Sequence, residues 1–359
     1  MFRYPIRYSF IRFVISIVSI LVSLVVLHHL FAQKSAEYAG PANETSFDPT
    51  PAPVKCIPIP VLDRLVCTLV QHIVDSSKTD YGQSVIRDLT AFMGPLVFLL
   101  TVEASRLGHS GSLLACIPFT AVVTSLFGVG IYLLIFFVPL TNYFCDGILR
   151  TSSASRIPLA RVRAILAANA FHMVFIVILT ERTMQEDEAH SQALERIIVN
   201  AILMVSLWLT YTLLTWLFAG WMGSPQGSSS EVRAAQVADE IKARELVRDS
   251  FLFVAAVNVG LQVWAFYRGG STPLRHIYNY FYRPFPFQDE KYAPAFRLMW
   301  DLFGVIGASW LRVLSEMDLL YLVFFILISV LFPGSALMLS AARWENMLIY
   351  WHVRSKRVY

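Results

Sequence analysis

Long apolar runs recur along the whole chain, and they limit its possible folds more than any other feature. A helix needs roughly 20 apolar residues to cross a bilayer, and in lipid only helices and closed barrels satisfy every backbone N–H and C=O group. The runs do not alternate apolar and polar residues as barrel strands do. We therefore predict an all-α protein, a polytopic transmembrane helical bundle. Seven runs are long enough: residues 9–31, 88–106, 113–141, 161–180, 197–222, 248–266 and 318–341.

The composition agrees with a membrane protein. Charged residues make up 15% of the 359 residues, against about 25% in soluble domains. Arginine and lysine lie in loops between the apolar runs, where they act as topology signals rather than as a nucleic-acid surface. We expect membrane lipids as partners and exclude nucleic acid. The cysteines have no CxxC spacing, so neither a zinc site nor a disulfide framework is expected, although Cys56 can pair if its loop is lumenal.

The distribution of arginine predicts how the runs cross the membrane. Arg3 and Arg7 precede the first run, which reads as a signal anchor with a cytosolic amino terminus. The basic loop around 150–163 is then cytosolic, and the acidic loop 181–196 is lumenal. This arrangement requires an eighth span at residues 57–75, a stretch that otherwise reads as an interfacial helix.

The same topology assigns the remaining segments of a single transmembrane domain over residues 1–359. The loop 32–56 is lumenal and contains a glycosylation sequon at Asn43. The loop 223–247 is cytosolic and carries a short charged helix, and residues 342–359 form a basic cytosolic tail. We predict a multi-pass integral protein of the endoplasmic reticulum. Residues 298–311 are short for a span and read as a re-entrant or interfacial segment.

Glu103 and Arg106 are ionisable residues at the end of an apolar helix. Their spacing puts them on one helical face, where they form either a local ion pair at the headgroups or part of a site. The eight-span topology places Glu181 and Asp301 at the same lumenal depth. A carboxyl group desolvated there can stay protonated and act as a general acid, whereas one paired with Arg106 stays ionised. Asp301 alternatively caps the helix that follows it.

Other polar and aromatic residues are weaker candidates. Asp146 lies at a cytosolic helix end, and His172 reads as a hydrogen-bonded interior histidine. Aromatic residues form 14% of the chain, and most of them read as interfacial belts or packing. The others are candidates for an apolar wall whose ring faces stabilise a cation. The substrate-binding candidates are Tyr211, Trp264 and Trp300.

Three stretches together resemble the fungal integral-membrane terpene cyclases of meroterpenoid pathways. They are GPLVFLLTVEASRLG (94–108), an apolar hairpin with IPF and FVPL, and the acidic MWDLF segment. The resemblance implies a compact bundle of seven or more helices that protonates an epoxide or alkene of a prenylated substrate. It implies buried carboxylates and no metal or other cofactor. Glu103 is then the acid and Asp301 a second acid, with Arg106 and Asp146 in support.

The sequence leaves other functions open. It has no DDxxD or NDxxD motif, which disfavours a magnesium-dependent prenyltransferase, and no HExxH or GxSxG motif. A polytopic transporter or receptor and a non-catalytic membrane scaffold remain as alternatives. For the cyclase, we expect Glu103 and Asp301 to share a cavity, with Glu181 nearby. If Arg106 contacts Glu103 directly, the donor role passes to Asp301.

Overall fold

The computed structural model describes residues 10–25, 60–146, 155–184, 189–222, 228–269, 303–308, 310–311, 313–314 and 319–357. As the sequence predicts, these residues are helical and contain no β-strand. The helices are α1 Phe10–Val25, α2 Pro60–Ser77, α3 Asp80–Ala104, α4 Ile117–Phe127, α5 Val129–Tyr132, α6 Val138–Asp146, α7 Leu159–Met184, α8 Ala189–Met222, α9 Ser229–Arg268, α10 Leu319–Leu331 and α11 Pro333–Arg357. A π-helical turn, Leu133–Phe137, joins α5 to α6.

Three described helices are long and apolar enough to cross a membrane: α3, the Leu159–Arg182 part of α7, and the Ala235–Arg268 part of α9. The outward faces of α7, α8 and α9 are apolar as well, with Phe171 69% and Trp216 74% exposed. Apolar surface of this kind is typical of a face that lipid or another protein covers. The described helices therefore support membrane association.

The number of spans stays a prediction. Four shorter apolar helices, within α1, α5–α6, α8 and α10, correspond to further predicted runs. The stretch predicted at 57–75 forms α2, which is neither among the three long apolar helices nor among the shorter ones.

Helix α3 lies at the centre of the bundle and packs against α7, α9 and α11. It runs antiparallel to α9. Gln262 of α9 donates a hydrogen bond to Asp88 near the start of α3, over 2.5 Å. Further along α3, the ring of Phe98 meets that of Phe251 edge-on, with centroids 5.3 Å apart. Nearly every α3 side chain is buried, so polar groups on this helix must find partners inside the bundle.

Pro95 leaves one backbone carbonyl without its helical hydrogen bond in the middle of α3. Proline has no N–H, so the carbonyl four residues earlier, that of Ala91, loses its helical hydrogen bond. Asn258 of α9 replaces the missing donor through its side-chain amide, which lies 2.7 Å from the Ala91 oxygen. The Asn258 carbonyl accepts in turn from the hydroxyl of Ser335 on α11 over 3.0 Å. One side chain thus joins three helices.

We expect Asn258→Ala to lower the free energy of unfolding by about 1–3 kcal/mol, since it leaves the Ala91 carbonyl buried without a donor. Replacing Pro95 with alanine restores the helical donor, so the same Asn258 substitution should cost less in a Pro95→Ala background. Unfolding in mixed micelles of the four proteins of this cycle measures both effects. An equal cost in the two backgrounds would contradict this role for Asn258.

Residues 117–146 form a helical hairpin. The Thr120 hydroxyl of α4 lies 2.9 Å from the Tyr132 hydroxyl of α5, and the rings of Phe119 and Phe136 meet edge-on. Gly128, with φ of 91°, makes the turn in a conformation that favours glycine. The apolar hairpin that the sequence predicts at IPF and FVPL is therefore present.

The two segments that flank the hairpin in sequence meet at one end of the bundle. The Leu107 N–H, just after α3, donates to the carbonyl of Arg156, just before α7, over 3.1 Å. Arg106 also donates to the carbonyl of Ser155 over 3.1 Å. The run 113–141 is therefore folded into two helical segments, and whether it crosses the membrane stays a prediction.

The segment predicted to be re-entrant contains a short helix at 303–308, which follows Asp301 as expected. This helix packs backbone against backbone on the hairpin. A Cβ atom on Gly304 would lie 2.5 Å from the Cα of Gly130, so only glycine permits the contact. Its membrane depth stays a prediction.

Two predicted boundaries differ from the structure. The capping box at Ser228 and Glu231 is present, but the helix it opens continues to Arg268 as one 40-residue helix. The last apolar run is broken just before Pro333. Proline has no N–H to continue the helix, and it disfavours a helical conformation for the residue before it. The second part, α11, includes most of the predicted tail, and it packs Trp344 and Leu348 into the bundle.

The cysteines also differ from expectation. Cys67 of α2 belongs to a disulfide, whereas no disulfide framework is expected from the spacing of the cysteines. Cys116, between α3 and α4, is an exposed free thiol.

Candidate functional site

Glu103, Arg106 and Glu345 form a buried charge cluster where α3 ends beside α11. The Arg106 Nε donates to Glu103 Oε2 over 2.7 Å, and Nη2 donates to Glu103 Oε1 over 3.1 Å. The same Nη2 donates to Glu345 Oε1. All three residues are at most 3% exposed. One guanidinium therefore holds two carboxylates in the interior of an apolar bundle.

The end of α3 explains how Arg106 reaches both acids. The helix stops at Ala104, and Arg106 takes an extended backbone conformation. The turn directs its side chain back over Glu103 and into the bundle. Helix α11 brings Glu345 to the same point, and Arg248 of α9 contacts the next residue, Asn346, over 3.5 Å.

Arg244 of α9 partly balances the negative charge of the cluster. Arg244 donates to the Ser155 hydroxyl over 2.7 Å and to Glu240 over 3.4 Å. Burial by itself lowers the pKa of Arg106, but the attraction of Glu103 and Glu345 outweighs burial, so the pKa of Arg106 is raised. Arg106 therefore stays charged, and it donates two charge-assisted hydrogen bonds to Glu103.

His109 borders the cluster. Its Nδ1 lies 2.7 Å from the carbonyl oxygen of Glu103, and since a carbonyl only accepts, Nδ1 carries the hydrogen. Burial lowers the pKa of His109, and the nearby Glu103 only partly opposes this. The folded protein therefore favours the neutral imidazole.

This shift makes stability depend on pH. Above the unfolded pKa of about 6.5, His109 is neutral in both states and contributes no pH dependence. As the pH falls below that value, the unfolded chain takes up a proton that the folded protein resists, so the free energy of unfolding decreases. We expect His109→Gln to reduce this loss between about pH 6.5 and pH 5. Thermal unfolding across that range measures it, and identical pH profiles would exclude His109 as the source.

Glu181 lies at the other end of the bundle from Glu103, contrary to the prediction that they share one depth. It accepts from Arg87 over 3.2 Å and from Arg268 over 2.9 Å. Arg87 is near the start of α3 and Glu103 near its end, about 24 Å apart at about 1.5 Å per residue. Glu181 therefore does not support Glu103.

The predicted side of the membrane also changes for Glu103. Arg106 is bonded to Ser155, beside the basic loop 150–163 that the sequence assigns to the cytosol. Glu103 and that loop lie at the same end, so the lumenal position predicted for Glu103 and the cytosolic one predicted for the loop cannot both hold. If the basic loop is cytosolic, the arginine rule predicts the same side for Glu103, and the side that this end faces stays a prediction.

The aromatic candidates are not brought together around Glu103. Tyr211 is buried in α8. Trp264 is half-buried near the end of α9, about 30 Å along that helix from Arg244. Asp146 ends α6, and its side chain lies outside the described residues. Trp300, Asp301 and the glycosylation candidate Asn43 also lie outside them, so the shared cavity of Glu103 and Asp301 stays a prediction.

Two buried acids were missed by the sequence analysis. Glu345 follows the apolar run predicted at 318–341 and belongs to the segment predicted as a basic tail. Asp88 belongs to the apolar run predicted at 88–106, yet it is 2% exposed and bonded to Gln262. The signal for Glu345 was available in the helical spacing of Leu337, Ala341 and Leu348, which continues the buried face past it.

A cavity of about 150 Å³ lies toward the Glu181 end, between α2, α3, α7 and α8. Its wall is mainly apolar, with Ile86, Met93 and Ile176, and contains Arg196 and the hydroxyls of Thr90 and Thr180. Met93 and Glu103 are about 15 Å apart along α3. This cavity is therefore separate from the charge cluster.

No family model, curated protein or solved structure matches this chain. The geometry of the charge cluster therefore carries the functional argument.

Proposed function

We propose that this chain is a membrane-bound cyclase that protonates an epoxide or alkene of a prenylated substrate and guides carbocation cyclisation. The observation that carries the proposal is the pair of buried carboxylates, Glu103 and Glu345, on the single guanidinium of Arg106. Two carboxyl groups held in different ways beside one guanidinium form an arrangement suited to general acid catalysis.

The two acids have different roles in this proposal. Glu103 is held through both oxygens and serves as the ionised partner of Arg106. Glu345 is held through Oε1, which leaves Oε2 to carry the proton. The donor role therefore passes from Glu103, as the sequence analysis requires when Arg106 contacts it, and Glu345 joins Asp301 as a candidate donor.

The reaction balances without a cofactor. The Glu345 O–H bond breaks as the proton is added to the alkene carbon or the epoxide oxygen, and the resulting cation is attacked by the next alkene of the chain. Loss of a proton from the final cation restores a double bond. The Glu345 carboxylate can take that proton back, so the product is an isomer of the substrate.

The direct test is product analysis after membranes containing the chain are supplied with a prenylated, epoxidised aromatic compound. We expect a cyclised isomer of unchanged mass that is absent with membranes lacking the chain. Recovery of unreacted substrate alone, with correctly inserted protein, would contradict the proposal.

A transporter is the second candidate, and one observation favours it. The α10–α11 pair is a broken helix, and Ser335, just past the break, meets Asn258 in the middle of the bundle. Discontinuous helices at mid-membrane are typical of transporter binding sites. Substrate uptake into proteoliposomes without chemical change would favour this function over the cyclase, and over a non-catalytic scaffold.

A further inference from the structure

Helix α7 carries three buried side-chain atoms that have no hydrogen-bond partner among the described residues, although the Asn169 amide nitrogen itself donates to the Ile165 carbonyl. They are Nδ1 and Nε2 of His172 and Oδ1 of Asn169. His172 is 3% and Asn169 1% exposed. A polar atom buried without a partner costs about 1–3 kcal/mol, and native interiors contain few such atoms. Three such atoms on adjacent turns of one helix indicate that another molecule supplies their hydrogen-bond partners.

Both residues lie on the face of α7 that lines the cavity. His172 is one turn before Ile176, and Asn169 is three residues before His172, so these side chains share a helical face. Ile176 and Thr180, on that face, line the cavity. His172 and Asn169 do not line the cavity themselves; they lie one and two turns beyond Ile176 on the same face, toward the centre of the bundle.

The side chains between the cavity and His172 are adaptable. Met93 lines the cavity, and the Met173 side chain fills the space over Gly94, where an added Cβ would lie 2.7 Å from its terminal methyl carbon. Methionine is unbranched and repacks easily. A ligand in the cavity can therefore reach His172 without a change in the backbone.

We propose that this cavity is a binding site for a small, mainly apolar molecule that carries a hydroxyl group, with the hydroxyl at His172 and Asn169. A neutral imidazole offers one donor and one acceptor, and the Asn169 oxygen is an acceptor. A hydroxyl both donates and accepts, so it complements this set, whereas an ether or ketone only accepts. An apolar cavity of about 150 Å³ is known to hold a benzene ring, which sets the size of the ligand as a phenol or a short alcohol.

The site is distinct from the charge cluster, and its test does not depend on catalysis. The probe is 4-fluorophenol, compared with fluorobenzene, which has nearly the same shape without the hydroxyl. Binding to the full chain in lipid nanodiscs is followed by the ¹⁹F linewidth of each probe. Empty nanodiscs correct for partition into lipid.

We expect 4-fluorophenol to bind about tenfold more tightly than fluorobenzene, the effect of about one hydrogen bond. His172→Leu should remove this preference while fluorobenzene binding remains. Ile176→Trp should fill the cavity and abolish binding of both probes. Phe171→Leu, a change on the exposed face of the same helix, is the matched control and should leave both affinities unchanged.

Two results would overturn the site. One is binding of 4-fluorophenol that is equal in the original chain, His172→Leu and Ile176→Trp, which would assign it to lipid or another surface. The other is binding of neither probe above the level of empty nanodiscs, which would leave ordered water as the partner of His172 and Asn169.

Discussion

Replacement of Arg106 by methionine is expected to lower the free energy of unfolding by about 3–5 kcal/mol, the cost of leaving a buried charge without its partner. The effect is at the upper end of this range because Arg106 holds two carboxylates, Glu103 and Glu345. Methionine is close to arginine in length and apolar, so the loss reports charge rather than a cavity. Unfolding in mixed micelles at neutral pH measures it.

The triple variant Arg106→Met, Glu103→Gln and Glu345→Gln separates charge from packing. It has no buried charge at these three positions, so most of the lost stability should return, because replacement of a whole buried ion group is often nearly neutral. Arg248→Met is the control for loss of an arginine, since Arg248 pairs with the exposed Asp249, and it should change stability by about 0.5 kcal/mol or less. A triple variant as unstable as Arg106→Met would show that Arg106 acts through packing.

Glu345→Gln is expected to lower the rate of cyclisation by about 10² to 10⁴, the usual contribution of a general acid. Glutamine keeps the shape and the oxygen that accepts from Arg106, but it has no acidic proton. The variant should therefore insert and fold, and its loss should appear in kcat. The measurement is product formation per mole of inserted protein.

Comparison with two other variants assigns the donor. Glu103→Gln should also reduce the rate, because it removes the ionised partner of Arg106 and changes the charge of the cluster, whereas Glu181→Gln should have little effect on chemistry because Glu181 lies at the opposite end of the bundle. Full activity of Glu345→Gln together with an inactive Asp301→Asn would transfer the donor role to Asp301. Full activity of all the variants at 103, 301 and 345 would end the acid mechanism.

The fold class was predictable because the apolar run is a local property. Each of α3, α7 and α9 can be read from its own residues, since a helix in lipid satisfies its backbone internally. The capping box at Ser228 and Glu231 is equally local. The hairpin at 117–146 shows the limit, because its length alone is also that of a span. Only the tertiary hydrogen bonds show that residues 106–107 and 155–156, on either side of it, meet at one end of the bundle.

The candidate site was half predictable. Glu103 and Arg106 are neighbours along one helix end, so their pairing follows from spacing of three residues. The sequence by itself therefore determined a helical, apolar chain with a charged pair at the end of α3. Only the tertiary structure decided that Glu345 joins them, that Glu181 does not, and that His172 lies one turn from a cavity. The physical reason is that a buried charge is satisfied by whichever helix packs beside it, and helix packing depends on side chains far apart in the chain, which no local pattern encodes.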